Sequence, residues 1–217
     1  MFNFREFAKK FIFRYTPFGA PTYPYTSDPI ELALLVMEME RLRETPGVIL
    51  EVGVARGMTT RFLAEHSKRS TGDKVIALDT FSSFTKRDLD YEMQHRGKLA
   101  TELMGFGYND FDIWKKNFRD LSSIVTPIQA DCSEFDYTTL GPIKLAYLDV
   151  DLYLPTKAAL PLIFDSLVPG GVIFVDDVAM VNGGYDGAYQ AYMEFCQSRN
   201  FPIKVHGNKC GEIRKNF

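Results

Sequence analysis

The stretch that decides the fold runs from Leu145 to Val178, LAYLDVDLYLPTKAALPLIFDSLVPGGVIFVDDV. Two short apolar runs, LAYLDV and GVIFVDDV, end in acids and flank a segment of helical period, the pattern of a strand, helix, strand unit. In an open parallel α/β sheet, ligands bind at the carboxyl ends of the strands, so Asp149, Asp151, Asp176 and Asp177 are expected at one rim. Clustered carboxylates raise one another's pKa unless a positive group joins them, and a hard divalent cation held by carboxylate oxygens is the simplest partner. The alternative is that one or two of these acids cap the following helix and the rest face water. Within the unit, Pro155 is read as the start of the helix, Pro169-Gly170-Gly171 as its end, and Pro161 as the site of a kink or an early start.

Length and composition set bounds around this unit. The 217 residues suffice for one α/β domain with additions and not for two of ordinary size. Hydrophobic residues make up 46% and charged residues 24%, the balance of a soluble globular chain. A net charge of -3 offers no global field for nucleic acid, so no nucleic-acid partner is expected. Cys132, Cys196 and Cys210 stand far apart with no CxxC pair, which suggests neither a zinc site nor a disulfide framework. No apolar run has the roughly 20 residues of a membrane-spanning helix, and the N-terminus lacks the features of a secretory signal, so a cytoplasmic protein is expected.

Upstream, VILEVGVARGMTTRFLAEH reads as an apolar strand running into a glycine turn and an amphipathic helix, with Gly53 and Gly57 able to let the backbone approach a ligand at the helix N-terminus. Glu51 lies inside that strand, where a charged group without a partner is costly, and is read as functional. The next strand, KVIALDT, ends in Asp79 some two dozen residues beyond the turn, a position suited to accepting hydrogen bonds from ribose hydroxyls. SSIVTPIQADCSEF supplies a third strand ending in Asp131, and on this layout Asp131 and Cys132 border the adenine of a nucleotide-like cofactor.

Residues 81–117 do not read as a compact strand or helix pair. They are a candidate lid or an exposed helical excursion, and they contain His95, a candidate general base. Downstream of Val178 a glycine-bearing loop leads to a helix whose Tyr185, Tyr189 and Tyr192 either touch substrate or belong to the core. The closing FPIKVHGNKCGEIRKNF predicts an antiparallel hairpin at the sheet edge.

At the other end, residues 28–43 predict a helix with Pro29 in its first turn, and residues 1–27 form a separate aromatic and basic segment ahead of a single domain over 28–217. Phe2, Phe4, Phe7, Phe11 and Phe13 among Arg5, Lys9, Lys10 and Arg14 fit two readings. One is a basic amphipathic helix on a membrane surface, and the other is a helix packed on its own domain or on a partner subunit.

Taken in order, a strand with Glu51-Val52-Gly53 and Gly57, strands ending in Asp79 and Asp131, LDVDLYLPTKAAL at 148–160 and PGGVIFVDDV at 169–178 resemble the class I S-adenosylmethionine-dependent methyltransferases. Within these, the chain looks like the macrocin and mycinamicin sugar O-methyltransferase family, with a looser echo in the terminal CGEIRK. The resemblance implies a Rossmann-like seven-stranded, mostly parallel sheet with helices on both faces. It also implies transfer of a methyl group from S-adenosylmethionine to a hydroxyl, often of a sugar or glycoconjugate, assisted by Mg2+.

By position, Glu51, Gly53 and Gly57 would line the methionine part of the cofactor, Asp79 its ribose, and Asp131 with Cys132 its adenine. Val54, Thr59, Thr80 and Asp149 complete the expected cofactor-binding set. Asp149, Asp176 and Asp177 match the metal ligands, Asp149 and His95 are the candidate bases, and Asp151 is open between metal, cofactor and structure. A homo-oligomer is expected. The run TFSSFTKRD after Asp79 departs from the family's acid-glycine-leucine-proline pattern, which leaves the acceptor open among an antibiotic sugar, a polysaccharide or glycolipid sugar, and a phenol or catechol. A nicotinamide-dependent oxidoreductase lacks its tight GxGxxG here, and a catalytically silent protein on the same fold is the other rival.

Overall fold

A computed structural model gives the fold for residues 4–16, 27–179, 185–207 and 209–216. The first described element is helix α1 (Phe4–Tyr15), none of whose residues is buried. The domain then opens with α2 (Pro29–Arg41). Its start is fixed by a capping box in which the Asp28 carboxylate accepts from the Ile30 N–H at 2.8 Å and the Asp28 N–H donates to Glu31 at 3.2 Å.

From there strands and helices alternate: β1 (Val48–Val52), α3 (Met58–Arg69), β2 (Val75–Asp79), then α4 (Lys86–His95) and α5 (Phe111–Asn117) before β3 (Val125–Gln129). The second half continues with β4 (Ile143–Leu148), α6 (Tyr153–Ser166), β5 (Leu167–Val175), α7 (Gly187–Ser198), β6 (Val205–His206) and β7 (Cys210–Arg214). The seven strands lie in the order β3-β2-β1-β4-β5-β7-β6. β1 to β5 are parallel, and β7 runs antiparallel to both β5 and β6, as the closing hairpin pattern predicts.

Strand periodicity divides the core between the two faces. Ile49, Val75, Leu145, Val172 and Phe174 pack on Leu35 and Met39 of α2 and Leu63 of α3. Their neighbours Leu50, Ile76, Ala146, Ile173 and Val175 turn the other way, onto Leu160, Ile163 and Phe164 of α6 and Tyr192 and Phe195 of α7. Because both faces are covered, the parallel strands read as near-continuous apolar runs. Winding proceeds from β1 outward to β3 on one side and from β4 outward on the other, so the ligand crevice falls at the carboxyl ends of β1 and β4.

Four local expectations shift. Helix α6 starts at Tyr153, ahead of Pro155, and continues past Pro161 to Ser166. Pro169-Gly170-Gly171 therefore does not end the helix. It loops out inside β5, where the register with β4 jumps from Ile143↔Leu167 to Leu145↔Val172. β3 stops at Gln129, so Asp131 sits in the loop beyond its tip.

Residues 81–117 hold two helices, as the reading of a helical excursion allows, but the second belongs to the core and is not an exposed excursion. Trp114 and Phe118 are buried and stacked with centroids 3.9 Å apart, and Phe81 packs edge-on to Trp114 at 5.2 Å. These aromatic contacts are what anchor α5.

Candidate active site

The tip of β1 and the start of α3 form a turn held by its own backbone. Gly53 has φ +83°, and a Cβ there would lie 1.7 Å from the Asp149 carbonyl oxygen. Gly57, also at φ +83°, caps α3, and a Cβ on it would meet the Phe118 ring at 2.5 Å. Both glycines are thus required by the packing of the turn on β4 and α5, before any ligand is considered.

Asp79 locks the same turn. One carboxylate oxygen accepts from the Val54 N–H at 2.7 Å and the Ala55 N–H at 3.2 Å, and the other accepts from the Phe81 N–H at 2.6 Å. Asp131 caps its own loop through the Ser133 N–H at 2.9 Å, with the Arg87 guanidinium 3.4 Å away. Burial pushes the Cys132 thiol up to about 12, so it offers a small neutral wall.

Glu51 points to the α3 face of the sheet and is 2% exposed. Burial pushes its carboxyl up to about 8, the nearby Thr60 opposes this, and the charge of Asp79 reinforces it. Its Oε2 has no partner among the described residues.

The other half of the rim comes from β4 and β5. Asp149, Asp151 and Asp177 each offer an oxygen within 4.8 Å of the others, each side chain partly open to the crevice. Desolvation, then the neighbouring acids, pushes Asp149 and Asp151 well above the usual carboxylate range, and burial followed by Asp176 raises Asp177. Asp151 and Asp177 stand at φ +60° and +56°, in the left-handed region.

Asp176, expected with this group, is turned out of it. Its oxygens take the Lys209 ammonium at 3.0 and 3.1 Å. Burial opposes its ionisation, but the hydrogen bond with Glu31 and the charge of Lys209 outweigh that and hold it below the usual range. Lys209 also lies 3.4 Å from Asp177. Glu31, pushed up to about 8 by burial and by Asp176, completes this buried set.

One cavity of about 460 Å³ connects the two halves, within the usual span of small-molecule sites. Its walls include Glu51, Gly53, Val54, Thr59, Asp79, Thr80, Asp131, Cys132, Asp149, Asp151, Asp176 and Asp177, so every expected cofactor and metal residue except Gly57 lines it. Gly57 lies behind the turn. His95 is absent from the wall; it is exposed at the end of α4 and stacks on Tyr91 at 4.6 Å. Its distance from the acids has a simple origin, since α4 carries it away from the crevice on an outward face.

Sequence reading set out Tyr185 and the 81–117 segment separately and missed that their rings meet. Phe84, Phe106 and Tyr185 meet over the mouth with centroids 5.2 to 6.4 Å apart, and Tyr108 joins them. Of the three tyrosines considered, Tyr185 lines the cavity, Tyr189 packs against the core, and Tyr192 is buried with its hydroxyl bonded to the Lys204 and Glu212 carbonyls.

The methyltransferase-domain family model matches residues 50–178, more than half of the chain, and the chain belongs to that family. Its strand order is that of the class I, Rossmann-like methyltransferase fold. Solved structures agree on the fold. CalS11, a calicheamicin methyltransferase, superposes with a TM-score of 0.69 at 17% identity over 96% of this chain and 90% of that one. The O-methyltransferase NovP gives 0.69 at 15% over 96% and 88%. An O-methyltransferase from Bacillus cereus in complex with SAH gives 0.54 at 17% over 88% and 82%. Among curated protein sequences none matches.

Proposed function

We propose that the protein is an S-adenosylmethionine-dependent O-methyltransferase acting on a hydroxyl of a sugar or glycoconjugate, with a divalent cation such as Mg2+ held by Asp149, Asp151 and Asp177. The observation that carries this is the carboxylate trio beside the glycine turn in one cavity. Three acids drawn together in a desolvated pocket repel one another, and an oxygen-liganded cation removes that repulsion. Asp176 leaves the expected set because Lys209 already neutralises it.

The donor fits the other half. Glu51 offers an orphaned buried oxygen to a cationic ligand, Asp79 retains lone pairs for ribose hydroxyls, and Asp131 with Cys132 forms a neutral-to-acidic edge for adenine. The sugar acceptor is supported by the likeness to CalS11, described in a second structure as a TDP-rhamnose 3'-O-methyltransferase (TM-score 0.60, 18% identity). The aromatic wall of Phe84, Phe106 and Tyr185 suits a ring with an apolar face.

In the reaction, the acceptor oxygen forms a bond to the methyl carbon as the carbon–sulfur bond breaks, leaving S-adenosylhomocysteine. A sulfonium methyl is already electrophilic, so the chain's task is alignment of the acceptor. When bound, the cation lowers the pKa of the acceptor hydroxyl and fixes its position. Asp149 lines the cavity and His95 does not, so the hydroxyl proton is assigned to the Asp149 carboxylate. Residues 81–109 supply Phe84, Phe106 and Tyr108 to the mouth and act as the cover that excludes water.

The test is transfer of labelled methyl from S-adenosylmethionine to a panel of hydroxylated sugar conjugates, phenols and catechols, with and without chelator. Transfer to sugars that chelator abolishes and Mg2+ restores is expected. Chelator-insensitive transfer removes the cation, and calorimetry showing affinity for a nicotinamide dinucleotide, or for neither cofactor, removes the methyltransferase.

A further inference from the structure

Helix α1 is the one sequence feature that the catalytic reading leaves unused. Along FREFAKKFIFRY, the helical repeat places Phe4, Phe7, Ala8, Phe11, Ile12 and Tyr15 within less than half of the circumference. Arg5 and Lys9 border this arc on one side, Lys10 and Arg14 on the other. Phe4 is 74% and Phe11 52% exposed. An apolar face of this size on a water-facing helix marks a contact surface.

Charge selects the occupant. Four basic residues against Glu6 leave the helix at +3, while the whole chain is at -3, so the remainder carries -6. Two copies of α1 meeting through their apolar arcs would bring the flanking Arg and Lys rows together, and repulsion works against such a pair. An anionic lipid surface satisfies both halves: phenyl rings enter the acyl boundary while the flanking cations reach the headgroups. At 12 residues the helix is too short to cross a bilayer, and no described helix is long and apolar enough to do so.

We infer that α1 is an interfacial anchor that lies flat on an anionic membrane and brings the catalytic domain to that surface. The test is co-sedimentation of the full chain with phosphatidylcholine vesicles, pure or carrying about a third phosphatidylglycerol, alongside light scattering in free solution. At about 1 kcal/mol per net basic charge, the anionic vesicles should bind roughly a hundredfold more tightly, and high salt should erase the difference.

The double variants Phe4→Glu/Phe11→Glu and Lys9→Glu/Lys10→Glu should each abolish sedimentation while keeping the thermal transition and S-adenosylmethionine affinity of the parent, because α1 buries nothing in the domain. Three results overturn the anchor. They are no binding to either vesicle, equal binding to both, or a light-scattering dimer that Phe4→Glu/Phe11→Glu dissociates, which gives the face to a second copy.

Discussion

The two halves of the cavity rim are built from the same kind of residue and handled in opposite ways. On the β1–β2 side the acid is satisfied from within: Asp79 collects backbone N–H groups from Val54, Ala55 and Phe81, and in doing so fixes the turn. On the β4–β5 side Asp149, Asp151 and Asp177 face one another, and among the described residues Lys209, 3.4 Å from Asp177, is what brings positive charge near. The first half is finished by folding; the second is complementary to something the chain does not supply. On the proposed function, donor binding and acceptor activation are separable by mutation.

The largest expected effect tests whether the first half is structural. Gly53→Val places a Cβ where the Asp149 carbonyl stands and a β-branched residue at positive φ, so no folded protein should be recovered, a cost above about 4 kcal/mol. A soluble variant with an unshifted melting curve would show that the turn and β4 part easily. Next, Asp177→Asn should cut methyl transfer by about 10²-fold or more, with S-adenosylmethionine affinity by calorimetry nearly unchanged. Melting without added metal should not fall, because a like charge has been removed. Equal loss of donor affinity would merge the two halves.

A third test reads Glu51, which sits behind the donor half. Burial holds its carboxyl at about 8 against the ordinary 4.5, so the native state holds a proton that the unfolded chain has released. The contribution of Glu51 to stability is therefore full below about pH 4.5 and declines as pH rises through about 8. Melting at about pH 5 and about pH 8 should show Glu51→Gln flattening part of that decline by a few kcal/mol, the remainder coming from groups such as Glu31. An unchanged slope would mean that Glu51 is already ionised through a partner. The smallest effect is expected at His95→Ala, with rate and melting close to the parent, since the ring lies outside both halves. A clear loss of rate would draw α4 into the acceptor site.

Much of this was readable because strand period and acids at strand ends are local signals. Asp79, Asp149, Asp151 and Asp177 declared themselves by ending apolar runs, and the sheet places them where the pattern predicts. What stayed hidden depends on elements far apart in sequence. Glu31 closes the capping box of α2, and the N-terminus of α2 also brings it against Asp176 at the tip of β5. Lys209, in the hairpin, removes Asp176 from the trio, a pairing that no spacing encodes. The glycines were legible as constrained but for a different cause, since a tight turn after a strand looks alike whether a ligand or a carbonyl presses on it. Residues 81–117 stayed open between two readings because a long connection is either a cover or a helical excursion, and here α5 belongs to the core while Phe84 and Phe106 line the cavity.

The backbone at Asp151 and Asp177 carries one more implication. Left-handed torsions tolerate aspartate, asparagine and glycine far better than other residues. Exchanging either aspartate for asparagine, a single-base change, preserves the loop shape while deleting a ligand charge. Descendants that keep the architecture and abandon the chemistry are thus one genetic step away, and a genome comparison that sees an intact fold with asparagine here should assign a sensor or a spent copy.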